Sequence, residues 1–363
     1  MHAKANHQPL VRVVKRVGIP RARAIVYRIL AVVLALVTGG IFLWALGQNP
    51  FTVYATMAQG AVGTTIALKE TVKIAIPLCI TSLGITLAFK MRFWNIGAEG
   101  QICLGAIAAS YFALFHSDWP QPVLLMTMAL AGILAGGLWG VIPAVFKARF
   151  GTNETLLTLM LNYVASYIIQ FLREGPWKDP GAMGFPKIAM FDKAARMPTV
   201  LGVHAGWIIA LVLVVLVFIY LKFTKQGYEL SVVGENENTA RYAGMDVRKI
   251  IVRTMFLSAA ICGLAGMLQA SGADKTLTDT VAGGVGFTAI TVAWLSQLNP
   301  FAILLVSFLF GCLEKGSGTI QSLLNISPSA AEVLQGVILF FVLGSEFFIG
   351  FRVIWRKGGA VNE

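Results

Sequence analysis

The most constraining feature of this chain is a series of membrane-length blocks without a charged side chain. Ile29 to Leu46, Pro122 to Phe146, Thr155 to Leu172, Val203 to Leu221 and Thr254 to Ala273 contain no Asp, Glu, Lys or Arg. A helix crossing about 30 Å of hydrocarbon at about 1.5 Å per residue needs roughly 20 such residues. Composition agrees: 57% of the 363 residues are hydrophobic and 13% are charged, where a soluble domain carries about 25% charged residues. The fold class that follows is an all-α polytopic membrane protein.

Five further spans need more argument. Thr280 to Leu313 is uncharged for 34 residues, which as one helix would reach about 51 Å and overshoot the bilayer. Asn299-Pro300 is the natural break, because proline lacks an amide proton and pushes the preceding residue out of the helical region. Two spans are expected there, Thr280 to Leu298 and Pro300 to Leu313. Lys73 to Phe89, Gly97 to Phe115 and Ala331 to Gly350 bring the expectation to about ten transmembrane helices.

Charge sets the expected orientation, since cytoplasmic loops carry excess Lys and Arg close to membrane ends. With the N-terminus inside, 20 of the 29 Lys and Arg residues fall on the cytoplasmic side, and both termini are cytoplasmic. The expected organisation is a basic cytoplasmic tail (residues 1–24), one transmembrane domain (25–357) and a short C-terminal tail (358–363). Within the domain, a cytoplasmic loop covers 222–249 and an external loop 173–203. Val11, Val14 and Val17 stand at helical spacing in the basic tail, which reads as a segment lying on anionic lipid or as a disordered tail.

The net charge of +12 does not point to nucleic acid, because the cations sit in short loops beside spans rather than on one folded basic surface. Cys79, Cys103, Cys262 and Cys312 are widely separated within apolar segments, and the four histidines are scattered; neither pattern supports a disulfide framework or a metal site. No Gly-x-x-x-x-Gly-Lys-Ser/Thr run is present, so the chain is not expected to bind ATP. Gly284 to Ala289 matches a dinucleotide fingerprint superficially, but it opens a span and follows no strand; close helix packing is the better account.

Two segments rise above packing. Asn95-Ile96-Gly97-Ala98-Glu99-Gly100-Gln101 is polar and glycine-rich between apolar blocks. Its Asn95, Glu99 and Gln101 belong against protein or a water-filled path rather than lipid, or else form a helix start whose dipole Glu99 complements. The second is Gly234 to Asp246, which reads as a miniature helix capped by Asn236 or Asn238, stopped by Gly244, and followed by Asp246 as cap of the next span. It presents Arg241 and Tyr242 outward, as a docking element or as a plain surface turn.

These residues, with Asn153-Glu154, Met160-Leu161-Asn162-Tyr163, Gly286-Phe287-Thr288 and Asn299-Pro300 in this order, resemble the permeases of ABC importers for simple sugars and nucleosides, a family that also includes ribose and branched-chain amino-acid permeases. The resemblance runs from about residue 70 to 350. It implies a multi-pass permease of the bacterial inner membrane that does no covalent chemistry. Its partners would be two cytoplasmic ATPase subunits, a second permease copy or a different one, and an extracytoplasmic substrate-binding protein. ATP and magnesium would bind the partners; this chain would hold no cofactor and no metal. By resemblance, Glu235, Asn236, Ala240, Arg241, Tyr242, Ala243 and Gly244 form the helix that couples to the ATPase. Asn95, Glu99, Gln101, Asn162, Phe287 and Thr288 are candidates for the substrate path. Glu237, Thr239, Ala289, Thr291 and Trp294 depart from the family's commoner residues, which leaves the ATPase and the substrate open. The rival from another class is an ion-coupled secondary transporter, disfavoured because the long blocks carry no Asp, Glu, Lys or Arg and Glu99, Glu154 and Glu332 lie near the ends of the expected spans.

Overall fold

A computed structural model of the chain describes residues 11–15 and 20–355. In order, the helices are α1 (Arg21–Ala45), α2 (Pro50–Val62), α3 (Thr65–Lys90), α4 (Ala98–Phe115), α5 (Gln121–Phe150), α6 (Glu154–Glu174), α7 (Gly206–Phe223), α8 (Lys225–Glu235), α9 (Glu237–Tyr242), α10 (Val247–Leu268), α11 (Val285–Leu295), α12 (Pro300–Leu324) and α13 (Pro328–Gly350). Four short strands accompany them: β1 (Val11–Lys15), β2 (Thr199–Val200), β3 (Val203–His204) and β4 (Phe351–Trp355). Among the described residues nine helices are long and apolar enough to cross a membrane. The all-α polytopic class read from the sequence therefore holds.

The expected span Thr280 to Leu298 is corrected by the structure. Only α11 is helical there, 11 residues or about 16 Å, half the hydrocarbon thickness. Gly283 and Gly284 take φ of 53° and 81°, left-handed values that break a helix and that glycine adopts at little cost. At the other end Gln297 and Leu298 also turn left-handed, immediately before the Asn299-Pro300 start of α12. The segment nevertheless crosses the bundle. Its beginning is tied to the long loop after α6, where Phe191 N–H donates to Lys275 O at 2.8 Å and the Thr276 hydroxyl donates to Ile188 O at 3.2 Å. Its end rests on the far end of α3, with the Trp294 ring 5.6 Å from Phe89 and 5.7 Å from Trp94. This crossing is half turns and bends and half helix.

Two other boundaries move for identifiable reasons. α3 starts at Thr65 rather than Lys73, because Lys73 pairs with Glu70 at 2.7 Å one turn away and the charges do not interrupt the helix. α12 runs past Leu313 through Glu314 and Lys315 to Leu324.

Two compact units are distinguished, Gln59–Lys315 and the described parts of Met1–Ala58 with Gly316–Glu363. In the second unit α1 packs on α13, Arg28 pairs with Glu346 at 2.8 Å, and the Tyr54 hydroxyl donates to Leu36 O at 2.7 Å. The helical spacing of Val11 and Val14 is overturned: β1 pairs antiparallel with β4, Val11 opposite Trp355 and Lys15 opposite Phe351. Valines at 11, 13 and 14 are β-branched and favour a strand when a partner edge exists. Val17 lies outside the described residues.

The core of the larger unit is α4, α5 and α10, held by glycines that let backbones touch. A Cβ on Gly105 would stand 2.1 Å from Gly263 O, one on Gly263 would stand 2.2 Å from Gly132 O, and one on Gly266 would stand 2.0 Å from Ile102 O. In lipid, such close packing rather than apolar burial drives helix association. A six-residue π-turn, Gln269–Asp274, continues α10. Ser271 there donates to Ala195 O at 2.8 Å, fastening the long loop. His204 in β3 is buried at 2% exposure between Gly206 and Gly272. Burial, then the nearby Lys73 charge, pushes its imidazole down to about 4.

Gly263→Val is expected to abolish folded protein, since overpacking costs about 1–3 kcal/mol or more. Gly318→Ala, with open space around it, should be tolerated; the yield of monodisperse protein on gel filtration distinguishes them. The His204 shift carries a sign. The folded-state value lies below the ordinary 6.5, so the unfolded chain takes up a proton that the folded one refuses, and stability falls as pH drops from about 6.5 toward about 4. His204→Phe should flatten that part of a melting-temperature profile.

Candidate functional site

The polar stretch before α4 folds into a closed knot. Asn95 and Gln101 pair through their amides, Asn95 Nδ2 donating at 3.2 Å and Gln101 Nε2 at 3.1 Å. Asn95 Oδ1 also accepts from Gly97 N–H at 3.0 Å. From α6, Asn162 grips the same backbone twice: its Oδ1 accepts from Gly100 N–H and its Nδ2 donates to Ile96 O, both at 2.9 Å. The approach is tight at both glycines: a Cβ on Gly100 would stand 3.0 Å from Asn162 Oδ1 and one on Gly97 3.0 Å from Thr158 Cβ, so these neighbours would have to give by a few tenths of an ångström. Asn95, Gln101 and Asn162 are buried, at 0%, 1% and 4% exposure. Their polar atoms face each other and the backbone.

Glu99 completes the knot by a different bond. Its Oε1 accepts from Gly284 N–H and its Oε2 from Gly286 N–H, each at 2.7 Å. These amides belong to the first turn of α11, whose N–H groups have no helical partner, so one carboxylate caps the broken crossing and meets the positive end of its dipole. A Cβ on Gly286 would lie 2.3 Å from Glu99 N, which makes Gly286 obligatory at this approach. Thr288 donates to Gly284 O at 3.2 Å, and Phe287 projects from the same turn at 44% exposure. All six residues expected along the substrate path thus come together, four in the knot and two on the turn it caps. Only Phe287 among them is substantially exposed.

The second site packs against the Lys90 end of α3. Thr224 caps α8 by accepting from Gly227 N–H at 3.0 Å. A Cβ on Gly234 would sit 2.0 Å from Lys90 O, so α8 is pressed onto the end of α3. Glu235 closes α8, and Asn236 caps α9, its Oδ1 accepting from Asn238 N–H at 2.8 Å and Thr239 N–H at 3.2 Å. Ala240 is buried at 0% and anchors the helix, whereas Tyr242 is 93% exposed. Arg241 is exposed beside Glu237 at 3.5 Å. Ala243 ends the helix, Gly244 turns left-handed at φ 76°, and Asp246 Oδ1 caps α10 by accepting from Lys249 N–H at 3.1 Å.

Sequence reasoning missed α8, although Thr224 as cap and Leu230 and Val233 at helical spacing were the available signals. It also missed the stack of Phe89, Trp94 and Trp294, which joins the ends of α3 and α11. Trp294, one of the departures from the family's commoner residues, fills this contact.

A bundle with a half-unwound crossing and a short exposed helix between spans defines a membrane permease. The family described as branched-chain amino acid transport system / permease component matches residues 67–343. The chain is a member of that family. Relatives include the glucose ABC transporter permease protein TsgB13 of Haloferax volcanii, 32% identical over 90% of this chain and 88% of its own length. The guanosine ABC transporter permease protein NupP of Bacillus subtilis is 28% identical over 87% of this chain and 92% of its own. The nucleoside ABC transporter permease protein NupB of Lactococcus lactis is 27% identical over 89% and 91%.

Asn95→Ala would leave the buried Gln101 amide without its partner, at a cost of about 1–3 kcal/mol; a lower melting temperature is expected as well as lower uptake. Glu99→Gln sets an amide N–H₂ against one of the two glycine N–H donors. It should therefore lower the melting temperature more than an isosteric change at a surface carboxylate such as Glu237→Gln.

Proposed function

We propose that this chain is the membrane-spanning subunit of an ATP-driven importer of the ABC class, forming the path for a small polar solute. The names of its relatives support a nucleoside or simple sugar as that solute. The observation that carries the reading is α9: six residues, too few for a stable helix in water, yet capped at both ends and presenting a tyrosine at 93% exposure. Such an element gains its stability from a partner groove. ATP and magnesium are bound by two separate ATPase subunits, which hold α9. A second permease, identical or not, completes the pore, and an extracytoplasmic binding protein delivers solute.

The contacts supply a route for the motion. Force on α9 passes to α8 and, where Gly234 meets Lys90 O, to the end of α3. The aromatic stack hands it to Trp294 and α11, and the Glu99 clasp lies at the other end of that helix. Rocking α11 against α4 would open a polar path first outward and then inward. Phe287 and Thr288, on the turn that Glu99 caps, would line that path. The family, the basic residues around α8 and α9, and the positive-inside rule support a bacterial inner membrane with both termini cytoplasmic.

The double variant Arg241→Glu, Tyr242→Ala is expected to insert normally but to lose co-purification with the ATPase, each truncation weakening binding by about tenfold to several-hundredfold. ATP-dependent uptake in proteoliposomes should vanish with it. Normal uptake by the variant, or accumulation by the unmodified chain on an ion gradient without ATP, would favour an ion-coupled carrier. For orientation, an impermeant thiol reagent on intact cells should label Lys187→Cys and spare Arg241→Cys; the reverse pattern sinks the assignment.

A further inference from the structure

We propose that the groove between α5 and α10, at their basic ends, is a binding site for an anionic phospholipid, with its phosphate among Arg149, Arg248 and Lys249 and one acyl chain along the apolar wall. The groove is a cavity of about 620 Å³. Val145 and Arg149 stand one turn apart on α5, while Lys249, Arg253 and Phe256 follow at helical spacing on α10, so each helix offers one continuous face that changes from cationic to apolar. Phe256 closes the floor against Gly137.

Charge decides the class of ligand. No carboxylate lines this groove. Among the described residues the side chains of Arg149, Arg248 and Lys249 make no ion pair or hydrogen bond, and only Arg253 is held, by Glu229 at 2.9 Å. Arg253 also keeps a buried Nε with no partner among the described residues. Unpaired cations converging beside an apolar wall suit a phosphate joined to hydrocarbon, and the arginine fork can take two phosphate oxygens at once. The walls belong to helices long and apolar enough to cross a membrane, and the cations stand at the ends of those helices, where headgroups begin.

A neighbouring cavity of about 600 Å³ shares Arg149 and Arg248 but adds Glu237 and Asp246 and opens onto α9. Its mixed charge suits a protein surface. Protein contact and lipid contact are thereby divided between two mouths that share two arginines.

The test is native mass spectrometry of the purified permease, or of its complex, after extraction from bilayers of phosphatidylglycerol and phosphatidylcholine. Retention of phosphatidylglycerol over phosphatidylcholine is expected. The variant Arg149→Gln, Arg248→Gln, Lys249→Gln should lose that preference by about fivefold for each cation removed. Val145→Trp, which fills the apolar wall and leaves every charge in place, should reduce retention too, and it carries the test if the triple variant does not fold. Lys222→Gln, a basic residue outside the groove, should change nothing. Equal retention of the two lipids overturns the proposal, as does unchanged retention in both groove variants. Loss of a co-purifying ATPase with phosphatidylglycerol retained would assign the face to protein instead.

Discussion

Everything in the larger unit depends on one requirement: inside hydrocarbon, no backbone N–H or C=O can be left without a partner. A segment that runs through turns and bends over residues 275–284 instead of helix breaks the helical ladder and frees some of those groups. The Glu99 carboxylate answers at the critical point, accepting from Gly284 and Gly286 at 2.7 Å. Thr276 is bonded to the long loop after α6 at the other end of the unwound stretch. An unwound crossing is then compatible with the membrane while remaining easier to move than a continuous helix.

The same economy explains the rest of the bundle. Glycine replaces side chains where α4, α5 and α10 cross, so the core is rigid and nearly featureless. In the knot the buried amides of Asn95, Gln101 and Asn162 are satisfied by one another and by the backbone. The breaks in the helical backbone are left at the edges of α11, at the left-handed turns Gly283–Gly284 and Gln297–Leu298. A rigid core flanking one jointed element is the arrangement that a permease worked from outside the bilayer requires. The chain of contacts from α9 through α3 to α11 fits that requirement.

Much of this was legible in the residues. Long uncharged blocks gave the spans, Asn299-Pro300 gave the break before α12, and Asn236, Gly244 and Asp246 announced α9 and its flanking cap because capping is local chemistry. The unwinding of residues 280–284 was not legible, since this stretch is as uncharged as a helix would be and its support comes from Glu99, 185 residues away. Likewise the amides of Asn95, Gln101 and Asn162 could be placed near one another but not aimed: whether they face a path or each other depends on tertiary contacts. Val11 and Val14 read as helical for the same reason, because the strand they form exists only through β4 at the opposite end of the chain.

The central claim is that the clasp between Glu99 and α11 is the part that moves with ATP. Amide hydrogen exchange at Gly284 and Gly286, followed in the assembled and reconstituted transporter, addresses it directly. Slow exchange at rest that becomes faster when ATP binds is the predicted result. Protection that stays the same through the ATP cycle would contradict the account.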